Sequence, residues 1–164
     1  MSETIYVTEY SSPIGVITLG SSGKSLVGLW IEGQKYFLSK YKQTQDDDTI
    51  EIFEQTKTWL SEYFKGNNPE ISIPLEPEGT EFQKKVWEEL KNIPYGMTVT
   101  YGDISEKLHI GSAQAVGGAV GQNPISIIIP CHRVVGKNGN LTGYAGGIDK
   151  KSMLLNMEKS SLIV

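Results

Sequence analysis

Short runs of β-branched and aromatic residues open the chain. Residues 3–10, 14–20 and 25–31 are rich in Ile, Val, Thr, Tyr and Leu. Ser11-Ser12-Pro13 and Ser21-Ser22-Gly23 interrupt them, and turn-forming residues between such runs are typical of neighbouring strands. The sequence therefore predicts a meander of three strands.

A helical pattern follows the polar stretch at residues 43–48. The apolar residues that recur at the spacing of one helix face are Ile50, Phe53, Leu60 and Phe64. The pattern ends at Gly66, and a stretch with several prolines occupies residues 67–79. We expect a small α+β unit here and place a domain boundary at the prolines, which divides the chain into residues 1–77 and 78–164.

The second part is mainly helical in pattern. Thr80 and Gln83 have the spacing of a capping box, which marks the start of a helix. Its apolar side consists of Phe82, Val86, Leu90 and Ile93, and it ends before Pro94. A further helix is predicted from near Thr100 to His109 and a third from Ser112, in the order of a helix-turn-helix unit.

The third predicted helix, residues 112–122, has an unusual composition. It carries no charged side chain and three glycines. Each glycine destabilises a helix interior by about 1 kcal/mol relative to alanine. Glycines are retained where another backbone approaches closely, and the sequence leaves two interpretations open: the protein's own core, or the wall of a nucleic-acid groove.

An apolar run then leads to the single cysteine of the chain. Ile125 to Ile129 is predicted as a short buried strand, and Lys137-Asn138-Gly139 as a turn. A terminal helix is predicted from near Asp149. The fold class is therefore α+β: a strand meander with one helix, then a mainly helical domain with a helix-turn-helix and a short strand that carries the candidate site.

Cys131 has two possible roles. A free cysteine usually behaves as a small buried hydrophobe, and on residue type alone that structural role is favoured. Pro130 shifts the balance, because a proline cannot donate a ladder hydrogen bond and should end the strand beside the thiol. A nearby base such as His132 would lower the thiol pKa and make Cys131 a nucleophile. Adjacent side chains of a strand point to opposite faces, so the pair requires a turn or an intervening water.

Composition limits the function further. The net charge is -4, with -5 on residues 1–77 and +1 on residues 78–164, so any affinity for DNA should be modest and sensitive to salt. One cysteine and two histidines cannot form a disulfide or a four-ligand zinc site, and we expect no metal. The chain shows neither a signal peptide nor a run of about 20 apolar residues, so we expect a cytoplasmic protein without membrane contact.

The segment Pro130-Cys131-His132-Arg133-Val134 resembles the active-site signature of the O6-alkylguanine-DNA alkyltransferases. The similarity covers roughly residues 78–160 and has no counterpart in the first 77 residues. The further segments similar to that family are Gly79-Thr80-Glu81-Phe82-Gln83, Val86-Trp87, Pro94-Tyr95-Gly96, Thr100-Tyr101-Gly102-Asp103-Ile104, Ala115-Val116-Gly117-Gly118-Ala119, Asn123-Pro124, Gly143-Tyr144-Ala145-Gly146-Gly147 and Leu154-Leu155 with Glu158.

The resemblance implies repair of double-stranded DNA that contains O6-alkylguanine, by transfer of the alkyl group to Cys131. Each molecule would act once, as a monomer and without a cofactor, after extrusion of the damaged nucleotide from the duplex. In that family a water bridges the thiol to the histidine that matches His132, and the glutamate that matches Glu158 orients the imidazole. Tyr101 matches the residue that assists the leaving guanine and the rotation of the nucleotide.

The resemblance also assigns binding residues. The predicted substrate-binding residues are Asn123, Ser126, Tyr144, Ala145 and Gly146, and the predicted DNA-binding residues, on a helix in the minor groove, are Tyr101, Ser112, Gln114, Ala115, Gly117 and Gly118. Residue type alone favours blander roles: a solvated residue for Glu158, packing for Tyr101 and a helix cap for Asn123.

Three positions depart from the family pattern. Gln114 replaces an arginine that fills the gap left by the extruded nucleotide, Ser126 replaces a proline of several relatives, and Ala145 replaces a serine of some members. Two other functions stay open: a lesion-binding protein of the alkyltransferase-like type, which lacks the thiol, and an ordinary helix-turn-helix regulator. The presence of the cysteine argues against the first, and the uncharged third helix argues against the second.

Overall fold

A four-stranded sheet forms the first layer of the protein. The computed structural model describes residues 4–34, 43–141 and 147–163. The strands are β1 (Thr4–Ser12), β2 (Gly15–Ser21), β3 (Leu26–Ile31) and β4 (Gln43–Asp46). Their order is β3-β2-β1-β4, with β1, β2 and β3 antiparallel as an up-and-down meander and β4 parallel to β1. The predicted meander is confirmed.

The fourth strand is a correction to the sequence prediction, in which residues 43–48 were only a polar approach to a helix. Thr44 pairs with Ile5 and Gln45 with Tyr6, and both polar side chains are exposed. β4 is an edge strand held by its backbone pairing to β1. It therefore lacks the alternation of buried and exposed residues that identifies a strand in a sequence.

Helix α1 (Glu51–Phe64) covers the sheet as predicted. Ile50 is its N-cap, and Gly66 follows its end with a φ of +95°, a backbone conformation that favours glycine. Its buried face contains Ile52, Phe53, Thr56, Trp59, Leu60 and Tyr63. Tyr63 lies near the end of this helix, close to the part of the protein that carries Cys131.

Two capping boxes start the helices of the second part. Thr80 and Gln83 bond reciprocally at the start of α2 (Glu81–Leu90), as predicted. Thr100 and Asp103 do the same at the start of α3 (Tyr101–Lys107). Ser112 caps α4 (Ala113–Gly121) by accepting a hydrogen bond from the Ala115 amide. α4 packs against both α2 and α3, so the predicted helix-turn-helix is present.

The predicted strand at residues 125–129 is wrong. Only Ile125 pairs with the sheet, as a bridge to Leu29, and the chain then turns. Ile127 has a φ of +71°, which is rare for a β-branched residue. The side chains of this segment are buried as expected, but the backbone forms consecutive turns that end in a short 3-10 helix, Cys131–Arg133.

The chain after this turn closes the fold. β5 (Val99–Thr100) and β6 (Val134–Val135) form a parallel pair, and residues 137–139 form the predicted turn, with a positive φ at Asn138 and Gly139. The terminal helix α5 spans Ile148–Ile163. Within the three described ranges, no helix has the length and apolar character needed to cross a membrane. Most buried apolar residues of the sheet, α1 and the later helices form one cluster, and the sheet residues Ile5, Val7, Val27 and Trp30 form a second one.

Candidate active site

Cys131 begins the 3-10 turn, and its position is fixed by the segment before it. The Asn123 side chain donates to the carbonyl of Ile129 at 2.8 Å and accepts from the amide of Ile125 at 3.0 Å. Asn123 is thereby connected to both ends of the apolar segment that leads from α4 to the thiol. Cys131 itself is only 2 % exposed. The sequence predicts a thiol at an open strand end, and the structure instead buries it.

The thiol is protonated in its resting state. Burial raises the pKa of Cys131 because a thiolate loses its hydration there, although hydrogen bonding by Asn123 and Ser126 and the charge of Lys151 act in the opposite direction. The expectation that a neighbouring base lowers this pKa was therefore wrong for the DNA-free protein. Loss of hydration outweighs the groups that favour the anion, and a base must remove the proton when the thiol reacts.

The carboxylate of Glu158 on α5 is the centre of a buried hydrogen-bond network. Oε1 accepts from the Gly96 amide at 3.0 Å and from Arg133 Nε at 2.9 Å. Oε2 lies 3.0 Å from Arg133 Nη2 and 2.7 Å from His132 Nε2. Burial alone would raise the pKa of Glu158, but the hydrogen bonds from His132 and Arg133 and the charge of Arg133 hold it well below its usual range. Glu158 is an ionised, fully buried anion and not a solvated surface residue.

This network fixes the proton position on His132. A carboxylate only accepts hydrogen bonds, so the short contact to Glu158 places the imidazole proton on Nε2. Nδ1 then carries the lone pair, and it has no hydrogen-bond partner among the described residues. Burial, reinforced by the charges of Arg133 and Lys151, lowers the pKa of His132 below its usual value against the opposing effect of Glu158. The buried histidine is neutral and able to accept a proton at Nδ1.

Lys151 on α5 is a buried cation beside the thiol. Burial lowers its pKa to about 8, opposed by the charge of Cys131 in its ionised form. Its Nζ atom lies 5.9 Å from the ring centroid of Tyr101, over the face of the ring. Lys151 thus lies next to both the candidate nucleophile and the tyrosine at the start of α3.

The short β5–β6 pair brings Tyr101 close to the cysteine turn. Thr100 pairs with Val135, so the first residue of α3 is tied to the chain just after Cys131–Arg133. Tyr101 lines an open cavity of about 850 Å³ between α3 and α4. The other lining residues are Thr100, Gly102, Asp103, Ser105, Glu106, Ala113, Gln114, Gly117 and Lys137.

The outer face of α4 is exposed and free of charge. Ser112, Gln114, Ala115 and Gly118 are exposed, and Gly117 is half-buried. An added Cβ atom at Gly118 would meet no described atom within 4 Å, and one at Gly117 would lie 3.7 Å from the Tyr101 ring, an ordinary contact. The described core therefore does not require either glycine. This weakens the interpretation that the glycines are needed for close packing against the protein's own core.

Several residues of the site carry no signal that the sequence alone reveals. Tyr63 of α1 donates a hydrogen bond to Glu158 Oε2 at 2.6 Å, and Gln34 accepts one from Ser126 at 3.1 Å. Both belong to the first part of the chain, where no motif was visible. Lys151 occupies a helix whose other lysines are surface residues, and only its burial distinguishes it. Arg133 lies inside the signature, and its role as a carboxylate ligand could have been suspected from it.

Comparisons with known proteins match nearly the whole chain. The family model of the 6-O-methylguanine DNA methyltransferase DNA binding domain matches residues 81–160, and that of its ribonuclease-like domain matches residues 5–77. A methylated-DNA–protein-cysteine methyltransferase of Haemophilus influenzae is 42% identical over 157 residues, which cover 94% of this chain and 87% of the relative. One of Mycobacterium bovis is 44% identical over 157 residues, which cover 95% and 93%.

The chain belongs to the 6-O-methylguanine DNA methyltransferase family.

The fold is also similar to that of a solved structure, Mycobacterium tuberculosis OGT in complex with DNA. The TM-score is 0.86 at 41% identity, with 96% of this chain and 94% of that chain covered. The similarity includes the first 77 residues, where the sequence shows no signature. For this methyltransferase family member, the resemblance of residues 78–160 is thus confirmed and extended to nearly the whole chain.

Of the three positions that depart from the family pattern, two lie in the described part of this methyltransferase. Gln114 is exposed on α4 at the cavity that Tyr101 lines. Ser126 is fully buried and acts on the thiol pKa, and its hydroxyl is held by Gln34. The third position, Ala145, and its neighbours Tyr144 and Gly146 lie outside the described residues.

Proposed function

We propose that this chain repairs double-stranded DNA by moving the alkyl group of an extruded O6-alkylguanine to the sulfur of Cys131, once per molecule. The observation that carries the proposal is the buried turn in which Cys131 is followed by a neutral His132. The Nε2 atom of His132 donates a hydrogen bond to the ionised carboxylate of Glu158. This is the order of nucleophile, base and orienting anion that covalent catalysis requires.

The chemistry follows from the proton positions. His132 Nδ1 accepts the thiol proton, by way of a water molecule, and Glu158 stabilises the imidazolium that forms. The thiolate attacks the alkyl carbon, a C–S bond forms and the C–O bond to guanine breaks. Tyr101 donates a proton to the departing guanine and is reprotonated from the His132 imidazolium through water, which restores the neutral histidine. In the net reaction the thiol proton ends on guanine and the alkyl group on sulfur.

A second turnover has no route in this chemistry. The product is a thioether on Cys131, and water does not readily displace a thiolate from an alkyl carbon. The reaction as proposed needs no cofactor. Each protein molecule is therefore consumed by one lesion.

The helix-turn-helix would bring the damaged base to the thiol. We place α4 in the minor groove, where its uncharged face and the small residues Ala115, Gly117 and Gly118 allow close approach of the sugar-phosphate backbone. The extruded nucleotide enters the cavity beside Tyr101, and Gln114 occupies the gap it leaves. Ser112 caps this helix and Asn123 and Ser126 support the thiol. The substrate-binding roles of Tyr144, Ala145 and Gly146 rest on the resemblance of their segment to the family.

The remaining features of the proposal concern organisation. The chain would form two domains, residues 1–77 and 78–164, and act as a monomer, because the reaction requires one site. Its place of action is the cytoplasm, on chromosomal DNA. A lesion-binding protein without transfer activity is the competing function, and the thiol of Cys131, directly before His132 of the network, disfavours it.

The test uses duplex DNA with a single O6-methylguanine inside a restriction site that the lesion blocks. We expect the protein to restore cleavage in proportion to the protein added, with one site restored per molecule, and the Cys131→Ser variant to restore none. Retention of the DNA without restored cleavage would show a binding protein and contradict the proposal. Restoration beyond one site per molecule would contradict the single turnover.

A further inference from the structure

One hydroxyl group from the first part of the chain enters the His132–Glu158 pair. Tyr63 Oη donates to Glu158 Oε2 at 2.6 Å and lies 3.5 Å from His132 Nε2, and all three residues are buried. The same oxygen, Oε2, is the acceptor of the imidazole proton at 2.7 Å. Tyr63 and His132 therefore share one carboxylate oxygen, which Arg133 Nη2 also reaches at 3.0 Å.

The hydroxyl is held in place by packing on several sides. The Tyr63 ring stacks on Trp59 with a centroid distance of 5.5 Å and an interplanar angle of 9°. Phe64 and Tyr95 contact the same ring in edge-on geometry, with centroid distances of 5.2 and 6.2 Å. Because the ring is 1 % exposed and enclosed in this way, its hydroxyl cannot turn away from Glu158 without repacking α1.

We propose that Tyr63 is a positioning residue for the alkyl transfer, which sets both the orientation of the His132 ring and the share of the Glu158 charge that the ring receives. This inference rests on the proposed function and deepens it, because it gives the first 77 residues a direct part in the reaction. Tyr63 acts on His132 through Glu158, to which its hydroxyl donates.

The sign of its effect follows from electrostatics. A hydroxyl that donates to Oε2 takes up part of the negative charge, so the imidazolium is stabilised less than it would be by Glu158 alone. The other charged groups that act on His132 are Arg133 of its own turn and Lys151 of α5, and both disfavour the imidazolium. Removal of the Tyr63 hydroxyl should therefore raise the His132 pKa, so that the ring becomes protonated, and unable to accept the thiol proton, at a higher pH than in the unchanged protein.

The chain offers a matched pair of substitutions. Tyr63→Phe removes the hydroxyl that bonds to Glu158. Tyr95→Phe removes a buried hydroxyl from the ring next to it, and in the described part of the protein that hydroxyl has no hydrogen-bond partner. Both variants keep the ring and its packing, so a difference between them reports the bond to Glu158.

The first measurement does not depend on alkyl transfer. The chain has two histidines, His109 and His132, so nitrogen-15 NMR of labelled histidine shows two rings, and a His109→Gln variant assigns them. In Tyr63→Phe we expect the His132 pKa to rise relative to the unchanged protein and to Tyr95→Phe. Incorporation of fluorotyrosine at position 63, a stronger hydrogen-bond donor, should lower it and serves as the second variant if Tyr63→Phe does not fold.

The second measurement is the single-turnover rate across pH. We expect Tyr63→Phe to move the loss of activity on acidification to higher pH, because His132 is then protonated, and lost as a base, at a higher pH than in the unchanged protein. Tyr95→Phe should keep the rate and the pH profile of the unchanged protein. Equal His132 titrations in all variants, or equal effects of the two phenylalanine substitutions, would overturn the inference. An unchanged protein that transfers no methyl group would instead overturn the proposed function.

Discussion

The buried pair of Cys131 and Lys151 shows how surroundings decide the charge of a residue. Burial raises the pKa of the thiol and lowers that of the lysine to about 8. Each charge would stabilise the other, so the lysine favours the thiolate that the reaction requires. His132 completes the picture, because burial keeps it neutral and ready to accept the thiol proton.

Replacement of Lys151 by Met should raise the thiol pKa further, because it removes a positive charge that favours the thiolate. For a rise of one pKa unit, the thiolate fraction and the transfer rate at neutral pH fall by about tenfold. The measurement is a pH titration of the ultraviolet absorbance of the thiolate, with Cys131→Ser as the blank.

Lys150→Met is the matched control, since it removes the same charge from the adjacent residue, whose Nζ donates to the carbonyl of Ile14. It should leave the thiol titration unchanged. An identical titration for Lys151→Met and the unchanged protein would show that the lysine charge does not reach the sulfur.

Gln114 is the second residue whose effect can be measured. Its side chain is exposed at the cavity of Tyr101, and glutamine offers no charge and less stacking area than the arginine usual in the family. Gln114→Arg should therefore increase affinity for lesion DNA several-fold and make that affinity more sensitive to salt. A survey of lesions by single-turnover rate and binding titration provides the test, and no gain in either would contradict the role assigned to this position.

At the scale of elements, the composition of α4 lowers its helix stability and leaves its outer face open to the approach of DNA in the proposed complex. Its glycines weaken the helix, and within the described structure neither Gly117 nor Gly118 is required by close packing. The helix is instead held by the Ser112 cap at its start and by α2 and α3 along its inner face. Its small residues are better explained by the close approach of the DNA backbone that we propose than by packing within the protein.

Gly118→Ala should separate stability from DNA binding. The added methyl group meets no described atom and improves helix propensity, so the free energy of unfolding should rise by up to about 1 kcal/mol. Because the methyl group projects from the proposed DNA face, affinity for DNA should fall. Urea unfolding and a DNA titration measure the two effects.

Ser61→Ala on α1 is the control for this variant, since it also replaces a poorer helix former but lies outside the helix-turn-helix. It should stabilise the protein without a change in DNA affinity. If Gly118→Ala keeps full affinity, α4 does not approach the backbone as proposed.

The elements that could be predicted are those with local signals. The reciprocal bonds of Thr80 and Gln83 and the cap at Ser112 depend on residues three positions apart, which the sequence displays directly. β4 and the segment before Cys131 depend on distant partners. Gln45 belongs to a strand only because β1 lies beside it. The segment from Ile125 to Ile129 turns because the Asn123 side chain and the Leu29 backbone form hydrogen bonds with its backbone.

The residues of the site also divide into those that a local sequence signal identifies and those that only the fold brings there. Cys131 and His132 were found by motif, and the role of Glu158 was implied by the family resemblance. Tyr63 and Gln34 reach the site from the first part of the chain through the fold alone, and no sequence pattern links them to it. The raised pKa of the thiol also depends on burial, which residue type alone favours but which the proline before the cysteine argued against.

At the scale of the whole molecule, the buried network makes stability depend on pH. His132 has a lowered pKa in the folded protein, so the unfolded chain takes up a proton near pH 6.5 that the folded protein does not. Glu158 acts in the same direction at lower pH, because its pKa in the fold also lies below its usual value of 4.5. In both cases the unfolded state binds more protons, and stability falls as the pH falls.

The free energy of unfolding should therefore decrease on acidification from about pH 7.5 to about pH 5.5, with His132 contributing up to about 1.4 kcal/mol per pH unit below its unfolded pKa. Urea unfolding across this range measures the slope. His132→Asn should give a shallower slope, and equal slopes for the two proteins would show that the histidine titrates alike in both states.

The central claim is that the sulfur of Cys131 receives the alkyl group, and peptide mass spectrometry tests it most directly. After incubation with duplex DNA that contains O6-methylguanine, the account predicts one added methyl group on the peptide that holds Cys131 and none on the protein incubated with undamaged DNA. A peptide that stays unmodified while the lesion disappears, or a methyl group on another residue, would contradict it.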